Sequence, residues 1–265
     1  MKKVALALLA VVVLSALLAP RIAPFDYARQ FREMPNAPAG GGFLMGTDDL
    51  GRDRFSRLLY ATRISILLAP AAALVSILLA LPISAFAAAR LEAIRQTLTG
   101  FTTLCLSLPW IFLFIILRAL LPLNTRPEVS ILLTFGLMGA AGWAWPARIF
   151  SASIREMTHS GWMLQARASG LSTWRIALVY AWPALRSTAI AQFSILVPMY
   201  ILSEASLGLL GLGVAEPLPS WGNLLAELEH PGRVQENPWI LAPLGLLVVV
   251  MICLEILQPS REVTA

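Results

Sequence analysis

The chain has 265 residues, 58% of them hydrophobic and only 13% charged. Soluble domains carry roughly 45–50% apolar and about 25% charged residues, so the composition excludes an ordinary soluble domain and indicates an all-α polytopic membrane protein. The net charge of +5 is spread over loops rather than gathered in a stripe, which argues against nucleic acid as a partner. Cys105 and Cys253 both sit in apolar stretches, where packing accounts for them and neither a disulfide nor a metal site is expected.

Lys2 and Lys3 precede residues 4–19, a stretch without a charge. It reads as a first transmembrane helix with the lysines on the cytoplasmic side. A secretory signal peptide fits less well, because the stretch runs into Pro20 and lacks a small-residue cleavage site. Residues 21–63 form a polar connection, with residues 37–42 rich in Pro, Gly and Ala. Thr47 or Asp48 is expected to cap a helix starting near Asp49, with Leu50, Phe55, Leu58 and Leu59 on its apolar side. Asp48, Asp49 and Asp53 stand beside Arg52, Arg54 and Arg57. This reads as a salt-bridged interfacial helix in preference to a metal or anion site.

Residues 64–89 are uncharged and long enough to span, since about 20 residues cross the hydrocarbon core. Pro70 and Pro82 are candidate kinks. Further spans are expected at 98–117 with Pro109 inside, at 130–147 ending in Trp143, Trp145 and Pro146, at 188–215 broken at Glu204, and at 237–254. These readings give about six transmembrane helices. The domain reading is residues 1–63 as the first helix, external loop and amphipathic helix, residues 64–257 as the membrane core, and residues 258–265 as a tail. Within the core, residues 148–187 form a loop. Ile149, Ile154 and Met157 alternate there with Arg148, Ser151, Arg155 and Glu156, as in an amphipathic helix.

Inside that loop, Gln165-Ala166-Arg167-Ala168-Ser169-Gly170-Leu171 leads through Trp174 and Arg175 to Trp182-Pro183. Small Ala166, Ala168 and Gly170 let a partner surface approach closely, and Gly170 is a natural helix stop. Leu171 and Trp174 offer apolar anchors, Arg167 and Arg175 charge. The segment resembles the EAA loop of the membrane subunits of binding-protein-dependent ABC importers. A second stretch, Ser203-Glu204-Ala205-Ser206-Leu207-Gly208-Leu209-Leu210-Gly211-Leu212-Gly213 and on to Pro219-Ser220-Trp221-Gly222-Asn223, looks very like the C-type permeases of the dipeptide, oligopeptide and nickel importers. So does the run from Gly46 through Asp48, Asp49, Gly51, Arg52 and Asp53. The resemblance covers the chain from about Phe43 to Glu227.

The resemblance implies a type I ABC importer permease fold in the cell inner membrane, with both termini cytoplasmic. It implies a translocation path shared with a second homologous permease, two ATP-binding subunits docked through a short coupling helix, and an extracytoplasmic solute-binding protein that delivers the cargo. ATP and magnesium would be used by the ATP-binding subunits and no cofactor would be held by this chain. The distribution of Lys and Arg agrees with this orientation only when the first loop is set aside. Leu164, Gln165, Ala166, Arg167, Ala168, Gly170, Trp174, Arg175 and Pro183 would form the coupling element. Glu204, an acid within an apolar span, would line the path or hydrogen-bond the partner permease, and Gly208, Gly211 and Gly213 would permit tight helix approach or local unwinding. Trp221 would anchor the external loop at headgroup level.

Three departures stand out. Leu164 occupies the position of the Glu that opens the EAA motif, Val179 and Tyr180 replace a basic pair, and the tail lacks the family's usual ending. They fit a functional but divergent subunit, the alternative being a degraded paralogue. The only lysines are Lys2 and Lys3, so this chain holds no phosphate-cradling loop and cannot hydrolyse ATP. An ion-coupled secondary transporter is the rival class, but no internal repeat is visible and Glu204 is the only acid well inside a span. An intramembrane metal or Ser-His enzyme is excluded, because His159 and His230 both fall in loops.

Overall fold

The computed structural model describes the chain apart from residues 88–91, 110–111, 113–114, 117–125, 173–174 and 259–265. The described residues form helices joined by turns and loops, with two isolated bridges, Gly40 to Phe43 and Thr47 to Asp53, and no strand. Helix α1 spans Lys2–Ile22, α2 Arg54–Ala87, α3 Glu92–Ser107, α4 Pro127–Ala141, α5 Ala144–Thr158 and α6 Gly161–Ala168. A π-helical turn, Ile176–Ala181, runs into α7, Trp182–Leu209. Helices α8, Trp221–Ala226, and α9, Pro231–Glu236, precede α10, Ala242–Leu257. Five segments are long and apolar enough to cross a membrane: Lys2–Ile22, Arg54–Ala87, Pro127–Thr158, Ile176–Leu209 and Pro238–Leu257.

Two expected spans are corrected. The one expected at 98–117 is helical only to Ser107 in its first part, because the residue before Pro109 is pushed out of helical conformation. The one expected at 130–147 lies within the apolar segment Pro127–Thr158, with a turn at Gly142 and Trp143 between α4 and α5. Conversely, α7 continues unbroken through Glu204 to Leu209. The helix expected to begin near Asp49 begins at Arg54 instead. Asp53 is its cap, accepting hydrogen bonds from the Ser56 N–H (2.8 Å) and Oγ–H (2.6 Å). Thr47 Oγ1 is engaged elsewhere, accepting from the Ala37 N–H and donating to the Met34 carbonyl. Gly51 turns the chain with φ +74°, a conformation that favours glycine, and a Cβ there would strike the Phe31 carbonyl.

The chain divides into two compact units. The first comprises Met1–Pro70, Leu117–Phe135 and Pro198–Ala265. In it α1 packs on α10, burying Ala5, Ala16 and Ala19 of α1, and Pro243, Leu247, Val250 and Cys253 of α10 are buried as well. Alanines along the seam let the helices approach closely, as packing between membrane helices requires, and Val11, Leu14 and Leu17 are left exposed. Phe25, Phe31 and Phe43 form an aromatic cluster with centroids 4.9–5.6 Å apart.

Helix α7 ends at Gly211, φ +69°, where the Leu212 N–H reaches back to the Leu207 carbonyl (2.8 Å) and the Gly211 N–H to that of Gly208 (2.9 Å). Gly208 faces Gly222 so closely that a Cβ would land on the Gly222 backbone, and Gly213 packs on Gly208 in turn. Gly208→Ala is therefore expected to destabilise the protein by roughly 2–4 kcal/mol, since backbone on both sides cannot yield. Gly211→Ala, with open space around it, should cost only about 1 kcal/mol for its positive φ. Thermal unfolding in detergent separates the two. Equal losses would refute the close crossing.

The second unit comprises Ala71–Ile116 and Gly136–Val197. Helices α2 and α4 meet in it at Gly139, whose missing side chain lets the Ser76 Oγ–H donate to its carbonyl (2.7 Å). Helices α3 and α5 pack together, and Phe101 stacks on Trp143.

Candidate functional site

In the second unit, the segment after α5 folds as a compact hook. Ser160, in extended conformation, precedes α6, and the helix ends at Ser169 and Gly170. Gly170 has φ +71°. Its N–H donates to the Arg167 carbonyl (3.0 Å), and the Leu171 N–H reaches the Ala166 carbonyl (3.3 Å). The sequence signal for a helix stop at Gly170 thus corresponds to an observed left-handed cap.

The hook is held by a small apolar cluster of Met163, Ala166 and Ile176, with Met157 and Leu171 packed against it. Ala166 is a correction in detail: it is buried in this cluster and does not offer its own small surface to a partner. The exposed face of α6 consists of Leu164, Gln165, Arg167 and Ala168, followed by Gly170. Leu164 is 58% exposed, a large apolar side chain left in the open. Leu171, expected as an outward anchor, is half-buried against the cluster. Trp174, the other expected anchor, lies outside the described residues. Arg175 and Pro183 are exposed. Trp162 and Tyr180 stack across the hook with centroids 6.2 Å apart. Trp162 was not singled out in the sequence, and only its spacing from Met163 and Ala166 hinted at a packed helix.

In the first unit, Glu204 is fully buried within its own chain. The Ser65 Oγ–H donates to its Oε2 (3.0 Å) and the Gly222 N–H to its Oε1 (3.4 Å). Trp221 is also wholly buried, which corrects the expectation of a headgroup-level anchor. Its Nε1–H donates to Thr62 Oγ1 (3.1 Å) and its backbone N–H to Ser65 Oγ (3.2 Å). A buried indole needs such a partner for its N–H, and Thr62 and Ser65 on α2 supply it.

The loop acids and arginines are interior groups, which corrects the reading of an interfacial helix. Asp48, Arg52, Asp53, Arg54 and Arg57 are all buried. Asp48 Oδ2 accepts from Arg52 Nε (2.6 Å) and lies 3.5 Å from Arg57 Nε. Arg52 and Arg57 both reach Glu216, at 2.6 and 2.9 Å, and Arg54 pairs with Glu227. Burial alone would lower the Arg52 guanidinium, but Asp48 and Glu216 outweigh it and hold Arg52 above its ordinary value. Asp49 stays at the surface, 3.5 Å from Arg233. Asp48→Ala, which leaves two buried guanidinium groups with only the half-exposed Glu216 to pair with, is expected to cost about 3 kcal/mol or more. Glu216→Ala, at a half-exposed carboxylate, should cost about 1 kcal/mol or less. Chemical denaturation of the detergent-solubilised protein checks both, and a larger loss for Glu216 would overturn the ranking.

Among the described residues no group of three or more His, Cys, Asp or Glu could hold a metal ion.

Comparison with known proteins adds the following. Residues 80–259 match the family model described as binding-protein-dependent transport system inner membrane component. The oligopeptide transport system permease protein OppC of Escherichia coli (strain K12) is 32% identical over 251 residues, 94% of this chain and 80% of that protein. The di/tripeptide transport system permease protein DppC of Pseudomonas aeruginosa is 28% identical over 252 residues, 91% of this chain and 79% of that protein. The oligopeptide transport system permease protein OppC of Bacillus subtilis is 28% identical over 252 residues, with 94% and 79% covered.

Proposed function

Because the chain belongs to the family of binding-protein-dependent transport system inner membrane components, we propose that its hook around α6 is the coupling element of a peptide importer, docking into an ATP-binding subunit. The chain is a multi-pass membrane protein and a permease component of an ABC importer. Its relatives named for oligopeptides and for di- and tripeptides support peptides as the cargo. In this reading the chain pairs with a second homologous permease, two ATP-binding subunits associate with the pair, and an external solute-binding protein presents the cargo. ATP and magnesium are used by the ATP-binding subunits. This chain binds neither and is not an enzyme. The amino and carboxyl termini and the hook face the cytoplasm, while the segments carrying Asp48 and Trp221 face outward.

The observation that carries this reading is the exposed face of α6. It is a helix of eight residues, closed by a left-handed glycine and pinned by its own apolar cluster. It offers Leu164, Gln165, Arg167 and Ala168 to whatever covers it. A short helix held rigidly from behind transmits a push as a body, which is what rocking of packed helices requires. The ion-coupled alternative leans on Glu204, and that carboxylate is sealed against Ser65 and Gly222 of its own chain. The reading is tested by pull-down of the tagged chain from detergent-solubilised membranes. Recovery of an ATP-binding subunit together with a second permease is expected. Recovery of neither would end the importer reading.

A further inference from the structure

The second unit contains a cavity of about 550 Å³ between α3 and α5, floored by Ile83 and Ala87 of α2. Its size falls within the roughly 300–1,000 Å³ of small-molecule sites. Its walls are not what a lipid-facing helix pair would bury. Helix α3 lines the cavity with Thr99, Thr102 and Thr103, of which Thr102 is buried, while Phe101 and Leu104 lie on its other side. Helix α5 contributes Arg148, Ser151, Arg155 and Glu156, which share one face by their three- and four-residue spacing. A polar-walled space of this size holds water or a polar ligand, since only apolar cavities stay dry.

Hydroxyl groups line both walls, while the charged groups lie on α5. The Thr102, Thr103 and Ser151 hydroxyl hydrogens are engaged within their own helices, donating to the Leu98, Thr99 and Ala147 carbonyls at 2.7–2.9 Å. These oxygens therefore present lone pairs to the cavity and accept N–H donors. Arg148 and Arg155 form no ion pair or side-chain hydrogen bond with the described residues, and each offers a guanidinium fork suited to an oxyanion. Glu156, the one carboxylate among the described residues of the wall, adds an acceptor for a cationic nitrogen. The α5 wall thus carries the two guanidinium groups together with Ser151 and Glu156, and the α3 wall carries hydroxyl acceptors alone, a set that fits a ligand bearing both an oxyanion and N–H groups.

We propose that this cavity is a binding site for a zwitterion, with its oxyanion on Arg148 and Arg155 and its ammonium or amide N–H groups on the threonine and serine oxygens and Glu156. Two sources supply that chemistry: a peptide-like solute with a free carboxylate, or the phosphate and ammonium of an aminophospholipid headgroup. The solute source rests on the importer reading, and the site itself does not.

The test uses the full chain in phosphatidylcholine nanodiscs. Trialanine binding is measured by equilibrium dialysis, with trialanine amide as the analogue lacking the carboxylate. Retention of phosphatidylethanolamine is measured in parallel by native mass spectrometry. Saturable binding of either probe is expected, weakened about tenfold or more by the double variant Arg148→Gln/Arg155→Gln, since charge-assisted hydrogen bonds carry the oxyanion. Arg148→Lys/Arg155→Lys keeps the charge and reports on folding. Arg32→Gln, at an exposed arginine of the other unit, should leave binding unchanged. Arginine-dependent trialanine binding that the amide does not match assigns the solute, and arginine-dependent phosphatidylethanolamine retention assigns the lipid. If neither probe binds, or binding ignores the arginine substitutions in folded protein, the proposal is overturned. Neither result touches the importer reading, which stands or falls on recovery of the ATP-binding subunits.

Discussion

Glu204→Ala is expected to be among the most damaging single changes in the chain, while Glu204→Gln should be tolerated. The carboxylate is fully buried and accepts from the Ser65 hydroxyl and the Gly222 backbone N–H. Alanine strands that N–H and leaves a void between α2, α7 and α8, at a combined cost of about 3–5 kcal/mol. The loss should spread. Ser65 also accepts from the Trp221 N–H, and Trp221 is tied to Thr62, whose hydroxyl donates to the Leu58 carbonyl (2.7 Å). Glutamine keeps an acceptor oxygen and nearly the same volume, so its cost should stay within about 1.5 kcal/mol. Thermal unfolding in detergent reads the stability and peptide uptake by cells reads the function. A Gln variant that is as stable as the parent yet unable to transport would contradict the structural role and place Glu204 on the path.

That contrast shows where the sequence was informative. Glu204 stood out because an acid in an apolar span is costly in lipid and must have a compensating partner. Its partners were invisible, since Ser65 lies 139 residues away and hydroxyls are common in membrane helices. Gly208, Gly211 and Gly213 read as sites of tight helix approach or local unwinding. Gly208 and Gly213 lie at close backbone crossings, while Gly211 turns the chain just past the end of α7. Trp221 was misplaced because the interfacial preference of Trp is an average over exposed loops, whereas this one is covered by its own α2. The charged loop was legible as salt-bridged. Its burial was not, because Glu216 and Glu227 join it from more than 150 residues away. The apolar runs located the spans, but Pro109 and Gly142 moved helix ends by local backbone rules that hydropathy does not carry. At the hook, Gly170 announced its cap, while the inward turn of Ala166 followed from Met163 and Ile176, whose pairing crosses the helix end.

Gly170→Arg is expected to reduce the ATP-binding subunit recovered with the chain by about tenfold or more, with the second permease retained. A bulky charged residue at the centre of a docking face costs that much at well-packed interfaces. Nothing lies within 4 Å of a Cβ at Gly170, so the arginine projects outward and leaves the Met163–Ala166–Ile176 cluster untouched. The positive φ adds only about 1 kcal/mol of local strain, too little to unfold the hook and confuse the readout. Leu164 supplies the second arm. An exposed leucine at the position where the resemblance implies Glu makes sense if an apolar pocket covers it, a burial worth about 1.5–3 kcal/mol. Leu164→Glu should then weaken recovery as well, because the pocket would have to desolvate a charge. If Leu164→Glu instead strengthens recovery, the family's polar contact still operates in the ATP-binding subunit and the leucine is a loss in this copy. If Gly170→Arg leaves recovery unchanged, the exposed face of α6 is not the docking surface, and the contact must lie elsewhere on the chain.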